Sequence, residues 1–244
     1  MSTLLKLKLS AEENGSAFII LIDPDKKNDD KIIELVESAN VNGVDAIFVG
    51  GSIMMDSYYH ERIAKIKSVS NIPVILFPGG VNQINKHFDA ILFMSLLSGR
   101  NPHYLIGEQV LAAPIIKDIG IETISTGYIL VDGGSPTTVE FISGTRPIPS
   151  NNYDLLISHA LAAQYLGMQM LYIESGSGAK TRIQNESINM LSDEVDIDLI
   201  VGGGINTPED ANQVANSGAS FVVIGSAIEN SLDSISDFSQ AIHN

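Results

Sequence analysis

The sequence predicts an α/β protein built as a closed (β/α)8 barrel, and three observations carry that expectation. Eight short apolar runs punctuate the 244 residues, each bounded by Gly, Pro, Asp or Ser. Most runs are continuously apolar, the pattern of parallel strands covered on both faces. Amphipathic stretches separate most of them, and repeated strand–helix alternation is how such barrels are written. The length suits one domain over residues 1–244. A doubly wound open sheet is the second architecture the same pattern allows.

The runs are AFIILI (17–22), AIFVG (46–50), PVILF (73–77), AILFM (90–94), ETISTGYIL (122–130), MLYIE (170–174), DLIVG (198–202) and FVVIG (221–225). After the first, Ile32, Ile33, Leu35, Val36 and Ala39 recur at helical spacing. MMDSYYHERIAKIKSVS, NPHYLIGEQVLAAPIIKDIG, NYDLLISHALAAQYLG and TPEDANQVANSG read as further helices. Thr207 before Pro208 has the form of an N-cap followed by proline at the first helical position. Gly43, Gly167 and Gly218 stand where helices should stop. Two gaps interrupt the alternation. Residues 78–89 are too few for loops plus a crossover helix, which leaves room for a short turn or strand and for a groove in the outer wall. Residues 131–151 are long and polar and suit a lid or a subunit contact, with Phe141 as a candidate anchor.

Lys and Arg number 14 against 29 Asp and Glu, a net charge of −15. Such a surface repels nucleic acid and anionic membranes, so no nucleic-acid partner is expected. A phosphate ligand must then be held locally, by backbone N–H groups, single basic residues or a metal. Without cysteine, disulfides, zinc thiolates and thiol nucleophiles are excluded. No run is long enough to cross a bilayer and the first residues lack a signal-peptide pattern, so a cytoplasmic location is expected.

Function in a barrel gathers at the C-terminal ends of strands. Small residues crowd those ends here: Gly50-Gly51-Ser52, Pro78-Gly79-Gly80, Ser175-Gly176-Ser177-Gly178, Gly202-Gly203-Gly204 and Gly225-Ser226. The loops after strands six, seven and eight form a candidate phosphate cup; the bland alternative is tight turns in a packed barrel. Asp23 and Asp25 follow strand one and suit Mg²⁺, with Ser52 adding a hydroxyl, or else an Asx turn closed by Pro24. Glu174 ends strand six and is the candidate general base, with Tyr172 on the same strand face; the alternative is a rim ion pair. His60, His87, His103, His159 and His243 lack metal-ligand spacing and read as surface or helix residues, and Met54 and Met55 as packing residues. Arg100 and Asn101 suit either a second phosphate or a helix-start salt bridge.

LIDPDK, VGGS, SGRNP, YIESGSGA, VGGGI and IGSAIE, taken together and in order, resemble the geranylgeranylglyceryl phosphate synthases and the related bacterial heptaprenylglyceryl phosphate synthases. The likeness spans nearly the whole chain. It implies a modified TIM barrel whose third helix is replaced by a short extended segment, which agrees with the short 78–89 stretch. It implies alkylation of sn-glycerol 1-phosphate by a prenyl diphosphate, geranylgeranyl diphosphate above all, with Mg²⁺ required and a dimer or hexamer formed. Asp23 and Ser52 match the family's metal positions. Tyr172, Ile173, Glu174, Ser175, Gly176, Ser177, Gly178, Gly203, Gly204, Gly225 and Ser226 match its glycerol-phosphate site. One branch carries a lysine two positions before the first aspartate; here that position is Leu21, so a lysine contact is not carried over and Lys26 is an unproven substitute. Tyr104 lies in the stretch where the family reads tail length. Composition and strand ends also allow a sugar-phosphate isomerase, a flavin enzyme or a non-catalytic phosphate-binding barrel.

Overall fold

In the computed structural model, which describes residues 1–243 and of Asn230 the backbone alone, eight parallel strands close into a barrel in chain order. They are β1 (Ala17–Ile22), β2 (Ala46–Val49), β3 (Val74–Leu76), β4 (Ala90–Leu96), β5 (Glu122–Leu130), β6 (Met170–Glu174), β7 (Asp198–Gly202) and β8 (Phe221–Ile224). Closure is made by β1 against β8, with Ala17 opposite Phe221, so the open-sheet alternative falls. Each strand lies within about two residues of its sequence expectation, because an unbroken apolar run must be covered on both sides.

Strand alternation sorts the side chains into two cores. Phe18, Ile20 and Ile22 point outward and pack beneath the helices, while Ala17, Ile19 and Leu21 fill the barrel. The outer ring is α2 (Ile32–Val41), α3 (Tyr59–Val69), α4 (Glu108–Ile119), α6 (Tyr153–Tyr165), α7 (Asn185–Glu194), α8 (Pro208–Asn216) and, after the short α9 (Ser226–Asn230), α10 (Ile235–Ile242). Thr207 caps α8 by accepting from the Asp210 amide, with Pro208 in the first turn, as expected. Gly43, Gly167 and Gly218 follow helices at positive φ.

No helix is described between β3 and β4; only a three-residue turn, Val81–Gln83, lies there. That is the short extended segment the sequence implied. The 131–151 insert contains the six-residue α5 (Thr138–Ser143), and Ile148 bridges back to Val131.

The bottom of the barrel is stoppered by α1 (Thr3–Asn14), which sequence analysis did not assign. Leu4, Leu7 and Ala11 share one face of it and pack into the inner core. The carboxylate of Glu122, at the start of β5, accepts from the Thr3 and Leu4 amides at 2.5 and 3.0 Å. It thereby satisfies two of the orphan donors of the helix N-terminus. With that end filled, ligand access is left to the opposite end, where the strands' carboxyl termini lie.

Candidate active site

A cavity of about 530 Å³ opens at that end. It has three parts: a glycine-rich cup, a carboxylate-bearing corner and an apolar groove.

The cup comprises Gly176, Ser177, Gly178, Gly203, Gly204, Gly225 and Ser226, all of which line the cavity as expected. Four of these glycines have positive φ, at 93, 75, 77 and 71° for Gly176, Gly178, Gly203 and Gly204. Residues with a Cβ rarely adopt that region, so the backbone turns here by virtue of glycine. At Gly203 a Cβ would also lie 2.1 Å from Glu174 Oε1. The side chains of Ile173 and Ser175 do not reach the cavity. Strand alternation turns Ile173 into the outer core, and the Ser175 hydroxyl, just past the strand end, is buried without a partner.

Glu174 faces the cup from the end of β6 and is 6% exposed. Its Oε1 accepts from the Gly176 amide at 2.7 Å. Among the described residues it has no cationic partner, so a rim ion pair is not what holds it. Burial raises its pKa from 4.5 to about 7, against the Gly176 amide and the Tyr172 hydroxyl, which favour the charged form. Tyr172 lies on the same face, and a Cβ at Gly202 would sit 2.6 Å from its hydroxyl and 2.9 Å from Glu174 Oε2. The two are close neighbours, but the phenol oxygen makes no hydrogen bond of normal geometry. Burial first, and then the charge of Glu174, push the Tyr172 and Tyr128 phenols well above their ordinary value.

Tyr172 also belongs to an aromatic floor. Its ring stacks on Phe77 at 5.2 Å and meets Tyr128 edge-on at 5.4 Å. Phe48 completes the group. Tyr128 and Phe77 carry no local signal of this role in the sequence; only barrel closure brings them to Tyr172.

The second part of the cavity holds Asp23, Asp25, Ser52 and Glu229. Burial raises the pKa of Asp23, opposed by Lys27 and reinforced by Asp25 and Glu229. Lys27 Nζ lies 4.0 Å from both Asp23 and Glu229. Both Lys26 and Lys27 are exposed, but Lys27 is the one that lines the cavity. No group of three His, Asp or Glu side chains among the described residues is arranged to cage a metal. The oxygen set nevertheless suits Mg²⁺, which is commonly held by one or two carboxylates and completes its shell with substrate phosphates and water. Crowded carboxylates with one lysine between them are a site that favours added positive charge. Arg100 does not line the cavity; it donates to the Leu97 and Gly99 carbonyls and touches His159. Asn101 donates to the Ser143 carbonyl.

The third part runs through the wall between β3 and α4, where the missing helix would have stood. Val81, Ile84, Ile91, Phe93 and Ala112 line it. Ile91 and Phe93 lie on the outer face of β4, so the groove leaves the barrel interior and continues outside. Tyr104 borders it, and Val139 and Ile142 of α5 cover it, which makes the 131–151 insert part of the roof. Met54 packs against the outer core, but Met55 is exposed and lines the cavity instead of packing. The five histidines lie outside the cavity lining.

Comparison with known proteins agrees with this geometry. The sequence profile of the PcrB family matches residues 9–242. The geranylgeranylglyceryl phosphate synthase of Flavobacterium johnsoniae is 44% identical over 231 residues, 94% of this chain and 95% of its own. That of Chitinophaga pinensis is 43% identical over 227 residues, 93% of this chain and 90% of its own. A crystal structure of (S)-3-O-geranylgeranylglyceryl phosphate synthase from Thermoplasma acidophilum, in complex with substrate sn-glycerol-1-phosphate, superimposes with a TM-score of 0.93. It shares 36% identity and covers 100% of this chain and 99% of that one.

Proposed function

The chain belongs to the PcrB family and is a prenyltransferase of the geranylgeranylglyceryl phosphate synthase type, and we propose that it joins sn-glycerol 1-phosphate to geranylgeranyl diphosphate, with Mg²⁺, in the cytoplasm. With the family established, the isomerase and flavin alternatives are set aside. The observation that carries the assignment of roles is Glu174: a buried carboxylate with a pKa near 7, no cationic partner among the described residues, and a place in the cavity lining against the glycine cup.

The cup holds the glycerol phosphate through backbone N–H groups of the loops after β6, β7 and β8, which suits a chain too acidic to hold it by surface charge. Tyr172, Ser177 and Ser226 add hydroxyls, and Ile173 and Ser175 contribute backbone. Glu174 takes the proton of the reacting glycerol hydroxyl. That oxygen forms a bond to the first prenyl carbon as the carbon–oxygen bond to diphosphate breaks, and diphosphate leaves with the electron pair. The rings of Phe77, Tyr128 and Tyr172 face the positive charge that grows on the allylic carbon. Mg²⁺, held by Asp23 and Ser52, would neutralise the departing diphosphate. The prenyl tail lies in the apolar groove, and the rigid cup fixes the hydroxyl against the carbon it attacks.

Homo-oligomer formation is part of the same proposal. Phe141 is 88% exposed on α5, a position for a large aromatic side chain that contact with a second subunit would cover.

The test is transfer of radiolabelled sn-glycerol 1-phosphate into the organic phase, with donors from C15 to C35 and with or without EDTA. Label extracted in a Mg²⁺-dependent way, strongest with the C20 donor, is the expected result. No transfer by a folded protein that binds glycerol phosphate would overturn the proposal.

A further inference from the structure

Tyr59 and Arg62 lie one turn apart on the inner face of α3, beneath the loops that follow β1 and β2. Arg62 is 4% exposed. It donates to both oxygens of Asp56 at 2.7 and 2.9 Å, to both oxygens of Asp29, one at 3.0 Å, and to the Pro24 carbonyl at 3.3 Å. Asp29 belongs to the β1 loop and Asp56 to the β2 loop, while Pro24 directly follows Asp23. One guanidinium therefore joins the segment carrying Asp23 to the segment carrying Ser52, with a forked geometry that lysine cannot reproduce.

Tyr59 is also 4% exposed, yet its hydroxyl makes no hydrogen bond. A buried hydroxyl without a partner carries an uncompensated desolvation cost. Packing alone would be served as well by phenylalanine. Tyr59 shares the lining of a small pocket of about 10 Å³ with Asp23, Asp25, Asp56 and Arg62, among others. Its size is roughly that of one water. Burial first, and then the charge of Asp23, push the Tyr59 phenol above its ordinary value.

We propose that Tyr59 and Arg62 are positioning residues of the cation side of the cavity: Arg62 locks the two loops in register, and Tyr59 supplies the outer hydrogen bond that orients Asp23 when a cation binds. The inference rests on the Mg²⁺-diphosphate role proposed above for Asp23 and Ser52. Ligand-orienting partners of this kind typically change metal affinity by about 10–100-fold when removed.

The experiment is calorimetric titration of MgCl2 with inorganic diphosphate into the wild-type protein, Tyr59→Phe and Arg62→Lys, with sn-glycerol 1-phosphate titrated separately and melting temperatures recorded. Tyr59→Phe removes a single unpartnered oxygen, so it should melt no lower than wild type. It should nonetheless bind Mg²⁺-diphosphate about tenfold more weakly, with glycerol phosphate binding unchanged. Arg62→Lys should lose at least as much affinity for Mg²⁺-diphosphate; if it fails to fold, Tyr59→Phe decides. Wild-type affinity in Tyr59→Phe would overturn the inference and leave the proposed function standing. A wild-type protein that takes no Mg²⁺-diphosphate would overturn the metal role itself, and the inference with it.

Discussion

The two polar halves of the cavity are built on opposite principles. The loops after β6, β7 and β8 offer backbone, with four glycines at positive φ and Glu174 as their one buried carboxylate. The loops after β1 and β2 offer side chains: Asp23, Asp25 and Ser52, with Glu229 and Lys27 beside them and Arg62 beneath. The first arrangement suits an anion, because amides carry no counter-charge that must be desolvated. The second is a surplus of carboxylate that gains from an added cation. In the proposed reaction, a protein of net charge −15 would receive two phosphorylated substrates in one cavity, each by a different device.

The comparison breaks most visibly at Glu174, the buried carboxylate of the glycine half. Glu174→Gln keeps the shape and the bond from Gly176 but removes the base, so transfer should fall by about 10²–10⁴-fold in a single-turnover assay. A loss under tenfold would move the proton transfer elsewhere.

The same residue gives a stability test. Its folded pKa of about 7 lies above the ordinary 4.5. Between those values the folded chain keeps a proton that the unfolded chain has released. Stability from the neutral group is therefore full below about pH 4.5 and lost as pH rises through about 7. The full difference is about 3 kcal/mol. Glu174→Gln should melt above wild type at pH 8, with the gap shrinking toward pH 5; a gap independent of pH would contradict the buried-carboxylate account. Activity should run the other way, rising with pH as the base ionises.

A smaller effect tests the cup. Gly204 has φ +71°, and an added Cβ would lie 3.1 Å from the Arg182 backbone nitrogen. Gly204→Ala must shift the loop, and losing one amide contact to phosphate should raise the KM for glycerol phosphate about tenfold, with the apparent affinity for Mg²⁺ unchanged. Equal loss in both would mean that the halves are not independent. Smallest of all is Arg100→Ala, expected to change either KM by less than about twofold, because that side chain is tied to carbonyls outside the cavity.

Much of this division is readable in the sequence, for physical reasons. Unbroken apolar runs such as FVVI, short and rich in β-branched residues, suit doubly covered strands, and glycine clusters at their ends mark where backbone must turn or be approached. The 78–89 gap is a matter of chain length, and it located the groove. What escaped depends on closure. Phe77 and Tyr128 meet Tyr172 across the barrel, at separations no local pattern records. Lys27 enters the cavity instead of Lys26 because a helical turn at Lys26–Asn28 sets which side chain faces inward. The α1 stopper was hidden by LKLKL, which alternates like a strand although it folds as a helix. Ile173 and Ser175, matched to the glycerol-phosphate site by the family resemblance, have side chains outside the cavity lining and keep only backbone to offer there.

The central claim is that backbone holds the phosphate while the neighbouring carboxylate does the chemistry. Calorimetric titration of sn-glycerol 1-phosphate into wild type, Glu174→Gln and Gly204→Ala tests it most directly. The account predicts that Glu174→Gln binds within about threefold of wild type while failing in transfer, and that Gly204→Ala binds about tenfold more weakly. Loss of binding in Glu174→Gln together with wild-type binding in Gly204→Ala would contradict it.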